Sequence, residues 1–286
     1  MNVMKFWKLH GLGNDYIVID NRDENISDPE AVKLAFALCK RRFSVGADGL
    51  LFVSNSTIAD AKMRIFNADG SEAEMCGNGI RCFTKYCYEN NIARKSEMVV
   101  ETLAGNKRTW LTVENGVVQS VKVDMGVPVL ERSKIPMLGQ GTFVNKELQV
   151  NKEAYKATCL SVGNPHCVIF VDAIDDFPVQ LVGSKIENHQ LFPKRTNVEF
   201  AQVLSENEVK VRVWERGCGE TLACGTGACA TVVAGNLLEK LGSKVLVHLL
   251  GGDLEIEYGD RLLMNGAAEK VFEGTMFKGR EGKRSV

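Results

Sequence analysis

Two short stretches, Glu72–Gly79 (EAEMCGNG) and Glu220–Gly227 (ETLACGTG), decide how this chain folds. Each ends in Cys-Gly-x-Gly, and each has a glutamate four residues before its cysteine. The two cysteines, Cys76 and Cys224, are 148 residues apart in a chain of 286 residues. A single repeated motif is weak evidence of duplication, so other matches at a similar separation have to accompany it.

Three other pairs of segments recur in the same order at nearly the same separation. A polar residue follows an apolar stretch nine positions before each cysteine, and a Gly-Asn pair borders a strand-like stretch earlier in each half. These matches are Asn67 with Glu215, Gly13-Asn14 with Gly163-Asn164, and residues 46–50 with 196–200. Four ordered matches predict two copies of one architecture. Equivalent segments of a pseudo-twofold pair face each other across an interface, where ligand sites tend to form.

The repeat predicts where the domains begin and end. The second copy has an additional lead-in at residues 118–150, and its counterpart in the first copy is the C-terminal segment AAEKVFEGTMF at 267–277. The end of the chain is therefore expected to return and complete the first domain. The predicted domains are residues 1–120 with 267–286, and residues 121–266. Each carries one of the two cysteines, and the active site is expected in the cleft between the domains.

The remaining pattern is mostly strand-like, with short apolar runs between turn residues. Helical spacing occurs at 29–41 and directly after each cysteine motif, at 79–91 and 227–242. The last of these is apolar on almost every side, which is typical of a helix buried inside its own domain. We therefore predict an α+β fold of two pseudo-symmetric domains, each a curved, mostly antiparallel sheet wrapped round a central helix.

Composition and charge exclude several classes of protein. The chain is 45% hydrophobic and 25% charged, which is the balance of a globular domain rather than a disordered chain. Its formal net charge of -1 gives no basic field, so neither a nucleic acid nor a membrane surface is an expected partner. The sequence contains neither an apolar run long enough to span a bilayer nor a secretory signal pattern, so a cytoplasmic location is expected.

Nine cysteines without a secretion signal argue against a disulfide framework, and the absence of paired Cys-x-x-Cys knuckles argues against structural zinc. No metal site is predicted. Most of the cysteines are expected to be small core residues. This expectation covers Cys39, Cys82, Cys87, Cys159, Cys167 and Cys229, whereas Cys218 lies between two glycines in a predicted turn.

Cys76 and Cys224 differ from the other cysteines because each directly precedes a predicted helix. The positive end of the helix dipole favours a thiolate at that position, and the N–H groups of the first helical turn can bind a carboxylate. If two such helix starts hold one carboxylate, a sulfur atom lies on each face of the adjacent carbon. This layout predicts proton removal from one face and proton return to the other, which is racemisation or epimerisation.

Five segments of the chain together resemble the diaminopimelate epimerase family. They are HGLGNDYIVID, RIFNADGSEAEMCGNGIRCF, VGNPHCVIFVD, TNVEF and WERGCGETLACGTGACA, in the order and spacing of that family. The resemblance implies a cofactor-independent isomerase that interconverts LL- and meso-2,6-diaminopimelate in lysine and cell-wall precursor synthesis without pyridoxal phosphate. It also implies a homodimer, although Phe272 stands where some members have an interface tyrosine.

The resemblance assigns roles to individual residues. Cys76 and Cys224 correspond to the two acid/base thiols, with Cys224 taking the proton from the L-configured centre, and His166 and Glu215 help to tune them. The residues that correspond to substrate contacts are Asn14, Asn67, Gly77, Asn78, Asn164, Asn197, Glu215, Arg216, Gly225 and Thr226. Some members carry a polar side chain where this chain has Gly49, so that contact is not carried over.

Three other functions stay open at this stage. A racemase of proline or hydroxyproline would share the fold, but such a substrate lacks the second amino-acid centre that Arg216 and the asparagines are expected to bind. A redox-switch binding protein would use the same two cysteines and catalyse no proton exchange. A pyridoxal enzyme would show the absorption band of its cofactor.

Replacement of Arg216 by lysine tests the implied contact with a carboxylate. Lysine keeps the positive charge but loses the planar fork that binds a carboxylate through two hydrogen bonds. We expect a large fall in kcat/KM for diaminopimelate, measured in a coupled epimerisation assay. A variant that stays within about twofold of the parent in kcat/KM would show that another residue binds the distal centre.

Overall fold

The structure is a computed structural model that describes residues 3–151 and 153–277. These residues form eighteen β-strands and four α-helices. The strands are β1 (Val3–Gly11), β2 (Asn14–Asp20), β3 (Gly49–Ser54), β4 (Ala61–Asn67), β5 (Glu72–Ala73), β6 (Glu97–Glu101), β7 (Lys107–Glu114), β8 (Val117–Gly126), β9 (Phe143–Val150), β10 (Glu153–Ser161), β11 (Pro165–Phe170), β12 (Asn197–Ser205), β13 (Glu208–Glu215), β14 (Gly219–Thr221), β15 (Lys244–Leu249), β16 (Gly252–Tyr258), β17 (Leu262–Gly266) and β18 (Glu269–Phe277). The helices are α1 (Asp28–Leu38), α2 (Gly77–Glu89), α3 (Val179–Glu187) and α4 (Gly225–Leu237).

The chain divides into two compact units, with boundaries between Gln119 and Ser120 and between Ala267 and Ala268. The first unit contains β1–β7 and β18 with helices α1 and α2. The second contains β9–β17 and most of β8 with helices α3 and α4. Within the described residues, no helix combines the length and apolar character needed to cross a membrane.

The two units have the same strand connectivity. In the first, strands pair in the order β18-β1-β2-β3-β4, and β4 also pairs with β5 and β6. In the second, strands pair in the order β9-β10-β11-β12-β13, and β13 also pairs with β14 and β15. The β2–β3 and β4–β6 pairs are parallel, as are β11–β12 and β13–β15, and the other pairs are antiparallel. The prediction of two copies of one largely antiparallel architecture is confirmed.

A buried helix lies at the centre of each unit, as predicted. Strands β1–β4 pack against α2, and strands β10–β13 pack against α4. Helix α2 buries Ile80, Phe83 and Cys87 on its apolar side, and it also buries the charged residues Arg81 and Lys85. The Lys85 ammonium is satisfied internally, since it donates to the Val118 carbonyl at 2.6 Å and pairs with Glu89 at 2.9 Å. A charged residue can therefore face the interior when its partners lie there.

The alternation of strand residues separates two faces of each sheet. In β2, Ile17 and Ile19 join the apolar cluster under α1, so Asn14 and Tyr16 lie on the opposite face, towards α2. In β11, Cys167 and Ile169 belong to the corresponding cluster under α3. The central helices thus pack on one face and the outer helices on the other.

Sequence patterning did not predict helix α3 or strand β9 of the second unit. Helix α3 is a short element whose first residues follow Pro178, and only one of its faces is buried. Strand β9, at the end of the 118–150 lead-in, pairs with β10 as β18 pairs with β1, so it is the part of the lead-in that corresponds to the C-terminal strand. The start of the lead-in lies in β8, which pairs with β17.

Truncation of a central-helix side chain tests this core. Phe83 on α2 is fully buried, whereas Phe36 on α1 is 57% exposed. We expect Phe83→Ala to lower the free energy of unfolding by about 3–5 kcal/mol, since it removes apolar contacts and leaves a cavity. Phe36→Ala is the matched control and should cost less than about 1 kcal/mol. Urea unfolding followed by circular dichroism measures both, and equal losses would contradict the burial of α2.

Candidate active site

Each motif cysteine is the N-cap residue of its central helix, which confirms the predicted placement. The Cys76 sulfur accepts the Gly79 N–H at 3.4 Å, and the Cys224 sulfur accepts the Gly227 N–H at 3.4 Å. A side chain at the N-cap satisfies one of the N–H groups that lack a partner within a helix. Each sulfur therefore lies at a helix start, the kind of position that can bind an anion.

The first group of polar contacts, here called the Cys76 cluster, contains Cys76, Tyr16, Asn14 and Asn78. The Tyr16 hydroxyl oxygen lies 2.9 Å from the Cys76 sulfur and 2.7 Å from the Asn14 Oδ1. Asn14 Oδ1 also accepts from the Asn78 amide at 3.4 Å. Strand β2 and the start of α2 therefore bring together three residues predicted from the sequence and one, Tyr16, that was not.

An ion-pair network holds Asn14 from the other side. Asn14 Nδ2 donates to Asp48 Oδ2 at 2.8 Å, and Asp48 in turn pairs with Arg41 at 2.8 Å. Arg41 and Lys8 both pair with Asp15, each at 2.6 Å. Burial opposes ionisation of Asp15, but hydrogen bonds from Arg41 and Lys8 outweigh it and lower its pKa to about 2. Asp15 is therefore ionised at neutral pH, and Asp48 holds the Asn14 amide.

The second group, the Cys224 cluster, contains Cys224, Thr226, Glu215, His166 and Glu199. The Cys224 sulfur lies 3.4 Å from the Thr226 hydroxyl and in hydrogen-bonding contact with Glu215. Burial raises the pKa of Cys224 well above its usual range, and the carboxylates of Glu215 and Glu199 raise it further. The expectation that the helix start lowers this pKa is therefore wrong, because burial and like charges outweigh the hydrogen bonds to sulfur. Burial also raises the pKa of Glu215, against the effect of its hydrogen bond from Thr221.

His166 and Glu199 form a fully buried pair in this cluster. His166 Nδ1 lies 2.7 Å from Glu199 Oε1, and Nε2 lies 2.9 Å from Asn164 Oδ1. The ring is thus held at both nitrogens by side-chain oxygens, those of Glu199 and Asn164. The second carboxylate oxygen of Glu199 is buried and has no hydrogen-bond partner within the described residues.

The other predicted residues lie at strand ends. Asn197 is buried at the start of β12, where its amide donates to the Pro165 carbonyl at 2.8 Å and accepts the Arg216 N–H at 2.9 Å. Both of its polar atoms are thus occupied by backbone groups, and they hold the loop after β13. Arg216 is exposed in that loop, with a hydrogen bond to the Lys194 carbonyl at 3.3 Å. Asn67 is exposed at the end of β4 and donates to Ser71 at 3.0 Å.

Sequence reasoning missed Tyr16, Glu199 and Asp48. The 150-residue offset that relates Asn14 to Asn164 also relates Tyr16 to His166, and both contact the asparagine two residues earlier. The repeat offset could therefore have identified Tyr16 from the sequence, as the counterpart of His166. Glu199 is a lone carboxylate within the apolar run NVEFA, a position where burial implies a specific partner.

Within residues 3–151 and 153–277, no group of three or more histidine, cysteine, aspartate or glutamate side chains is arranged to hold a metal ion. The six cysteines that were assigned to the core are buried, as predicted. Cys218 is exposed between β13 and β14.

Solved structures define the class of this fold. A phenazine biosynthesis protein of the PhzF family from Bacillus anthracis matches with a TM-score of 0.68 and 16% identity, over 97% of this chain and 100% of that one. A hydroxyproline epimerase from Agrobacterium vitis matches with a TM-score of 0.71 and 14% identity, over 96% of this chain and 92% of that one. At these identities the likeness concerns the fold, which is the duplicated α+β fold that this chain shares with these two proteins.

Closer relatives identify the family. A family model described as diaminopimelate epimerase matches residues 6–131 and 158–271. Proteins named diaminopimelate epimerase from Moorella thermoacetica and Pelotomaculum thermopropionicum are 52% and 54% identical over 275 and 274 residues, covering 95% of this chain and 98% of each relative. The chain therefore belongs to the diaminopimelate epimerase family of isomerases.

Equivalent glycines in the first turns of α2 and α4 test the packing below each sulfur. A Cβ atom at Gly227 would lie 2.7 Å from Glu199 Oε1, whereas one at Gly79 would meet its nearest neighbours at 3.4–3.5 Å. Because His166 holds Glu199 in place, Gly227→Ala should lower the free energy of unfolding by about 1–3 kcal/mol. Gly79→Ala should change it by about 1 kcal/mol at most, since alanine favours the helix. Urea unfolding compares the two, and equal losses would contradict the close approach of Glu199.

Proposed function

We propose that this protein interconverts LL- and meso-2,6-diaminopimelate by proton transfer at one α-carbon, with two thiols as the acid and the base. The observation that carries the proposal is the pair of cysteines that cap the equivalent helices α2 and α4. Family membership supports it, because relatives with about half of their residues identical are named for this reaction.

The weak acidity of the α-carbon is the chemical difficulty of this reaction. A hydrogen on the carbon next to a carboxylate is very weakly acidic, so its removal requires stabilisation of the charge that develops on the carboxylate. In the proposal, the first-turn N–H groups at Gly77-Asn78 and Gly225-Thr226 bind that carboxylate. They point along the helix axis towards the ligand and need no reorganisation when the charge develops.

The two thiols move the protons. In the LL-to-meso direction, the Cys224 thiolate takes the proton from the L-configured α-carbon, and the Cys76 thiol gives its proton to the opposite face. In the reverse direction, the two sulfurs exchange roles. A base with a raised pKa binds a proton more strongly, so burial of Cys224 suits it to a weak carbon acid once it is ionised. Glu215 is the adjacent group with which Cys224 shares a hydrogen bond, and His166 lies nearby, held between Glu199 and Asn164.

The polar residues around the thiols supply the remaining contacts. Diaminopimelate has two ammonium groups and two carboxylates, and amide side chains can donate to the latter and accept from the former. Arg216 and Glu215 have the complementary charges for the distal amino-acid centre, and the amides of Asn14, Asn67, Asn78 and Asn164 provide further donors and acceptors for the substrate. Asn197 contributes through the Arg216 backbone that it holds.

The proposal has several further components that the family resemblance implies. The reaction uses neither pyridoxal phosphate nor a metal, and the product serves lysine and cell-wall precursor synthesis. The enzyme acts as a homodimer in the cytoplasm. Size-exclusion chromatography with light scattering tests the dimer, and activity after exhaustive dialysis against a chelator tests the metal requirement.

Incubation with substrate in heavy water tests the reaction and the role of each sulfur. The parent protein should place deuterium at one α-carbon of LL-diaminopimelate and form the meso isomer, without added metal or pyridoxal phosphate. Cys76→Ala should form no meso product but still exchange the α-proton of the LL isomer, because Cys224 faces that centre. Cys224→Ala should exchange at the D-centre of the meso isomer. Mass spectrometry and chiral chromatography measure exchange and epimerisation.

The exposed Cys218 provides the control, and Cys218→Ala should keep the parental rates of both processes. Equal exchange from both centres in Cys76→Ala and Cys224→Ala would contradict a two-base mechanism. Proton exchange with proline or hydroxyproline, but not with diaminopimelate, would assign a different substrate. Complete absence of exchange with all three amino acids would contradict an epimerase of this type.

A further inference from the structure

The hydroxyl of Tyr16 lies between two groups that can each accept its proton. It is 2.9 Å from the Cys76 sulfur and 2.7 Å from Asn14 Oδ1, and the tyrosine is 4% exposed. A phenolic hydroxyl has one hydrogen, so it can donate to only one of these acceptors at a time. Which acceptor receives the hydrogen depends on the protonation state of the sulfur.

We propose that Tyr16 is a catalytic residue, and that its hydroxyl follows the proton on Cys76. When Cys76 is a thiolate, Tyr16 donates to the sulfur and stabilises its charge. When Cys76 is a thiol, the sulfur donates to the tyrosine oxygen, and Tyr16 donates to Asn14 Oδ1. The inference rests on the proposed function, in which Cys76 alternates between these two states during each turnover.

Tyr16 acts as a hydrogen-bond donor and not as a proton source. Burial raises the pKa of Tyr16 well above its ordinary value, and the neighbouring Cys76 raises it further. Its O–H bond is therefore kept throughout, and only its direction changes. The transferred protons move between the sulfurs and the α-carbon, so the proton count of the reaction is unaltered.

The surroundings of Cys76 make this hydroxyl the main polar contact of the sulfur. The Tyr16 oxygen lies 2.9 Å from the sulfur, closer than the Gly79 nitrogen at 3.4 Å and Asn14 Oδ1 at 3.7 Å. Leu51 supplies an apolar side chain beside Gly79. Asn14 is fixed through Asp48, so the second acceptor stays within reach of the hydroxyl.

The second unit uses the equivalent position differently. His166 comes 150 residues after Tyr16, just as Asn164 comes 150 residues after Asn14. Its Nε2 lies 2.9 Å from Asn164 Oδ1, but its Nδ1 contacts Glu199 rather than a cysteine. Cys224 instead contacts Thr226 and Glu215. An uncharged donor therefore serves one thiol, whereas a fully buried histidine–carboxylate pair lies near the other, so the two sulfurs have different polar partners on one scaffold.

Site-resolved alkylation of the full-length protein tests the inference without substrate. Tyr16→Phe keeps the ring and removes only the hydroxyl. Loss of a hydrogen bond to a charged acceptor lowers the thiolate fraction by about tenfold. The thiolate without that hydrogen bond is more nucleophilic, which raises the alkylation rate again by about threefold. The net expectation is a fall of about threefold in the rate at which iodoacetamide modifies Cys76 near neutral pH, with Cys224 unchanged. Peptide mass spectrometry resolves the individual cysteines.

Tyr86→Phe is the matched control, because Tyr86 is another buried tyrosine, on the helix that Cys76 caps. It should leave the Cys76 rate at the parental value. Cys82 and Cys87 are fully buried and report folding, so both should resist modification in each variant. An unchanged or faster Cys76 rate in Tyr16→Phe, or an equal fall in Tyr86→Phe, would overturn the inference.

A second variant is measured if Cys82 or Cys87 reacts in Tyr16→Phe, since that would show that the substitution has disturbed the fold. Asn14→Ala removes the competing acceptor, so Tyr16 should donate to the sulfur throughout and Cys76 alkylation should accelerate. An unchanged rate would overturn the inference. The alkylation rates are independent of turnover, so a parent protein that fails to epimerise diaminopimelate contradicts the proposed function, and the hydrogen bond from Tyr16 to Cys76 is judged separately.

Discussion

The N-cap position of a buried helix is the constraint on which the rest of this structure depends. A helix enclosed by its own sheet cannot offer all of its first-turn N–H groups to water, so the residue that begins it has to satisfy one of them. In both units that residue is a cysteine, whose sulfur accepts the N–H three residues later. The same contact places a reactive atom beside an anion-binding helix start. At Cys76 and Cys224, one side chain therefore both caps the helix and supplies a thiol beside the helix start.

The sheet determines what surrounds each sulfur. Alternate residues of the strands face the central helix, so one face of β2 and β3 supplies Asn14, Tyr16 and Leu51 in the first unit. The corresponding strands of the second unit place His166 and Glu199 under Cys224. Because the backbone is duplicated and the side chains are not, the two thiols have different partners. Such a difference fits the proposed roles of the two sulfurs on opposite faces of one α-carbon.

The polar groups beside the two sulfurs differ. His166 and Glu199 are both fully buried near Cys224 and lie 2.7 Å apart. Burial and then the carboxylates of Glu215 and Glu199 raise the pKa of Cys224, so Glu199 acts on the thiol electrostatically. Around Cys76 the polar contacts come from a tyrosine and amides, and the ion pairs of Asp15 and Asp48 lie on the other side of Asn14.

Local sequence was enough to predict the duplicated α+β fold, the two central helices and the cysteines that begin them, because motif repetition, turn residues and apolar periodicity are local signals. It failed for α3 and β9, whose patterns are short and whose identity depends on the strands they contact. It also failed for Tyr16 and Glu199, because their partners lie 60 and 33 residues away along the chain. The raised pKa of Cys224 has the same origin: burial and carboxylates from other strands outweigh the effect of the helix start, and these long-range contacts exist only in the folded chain.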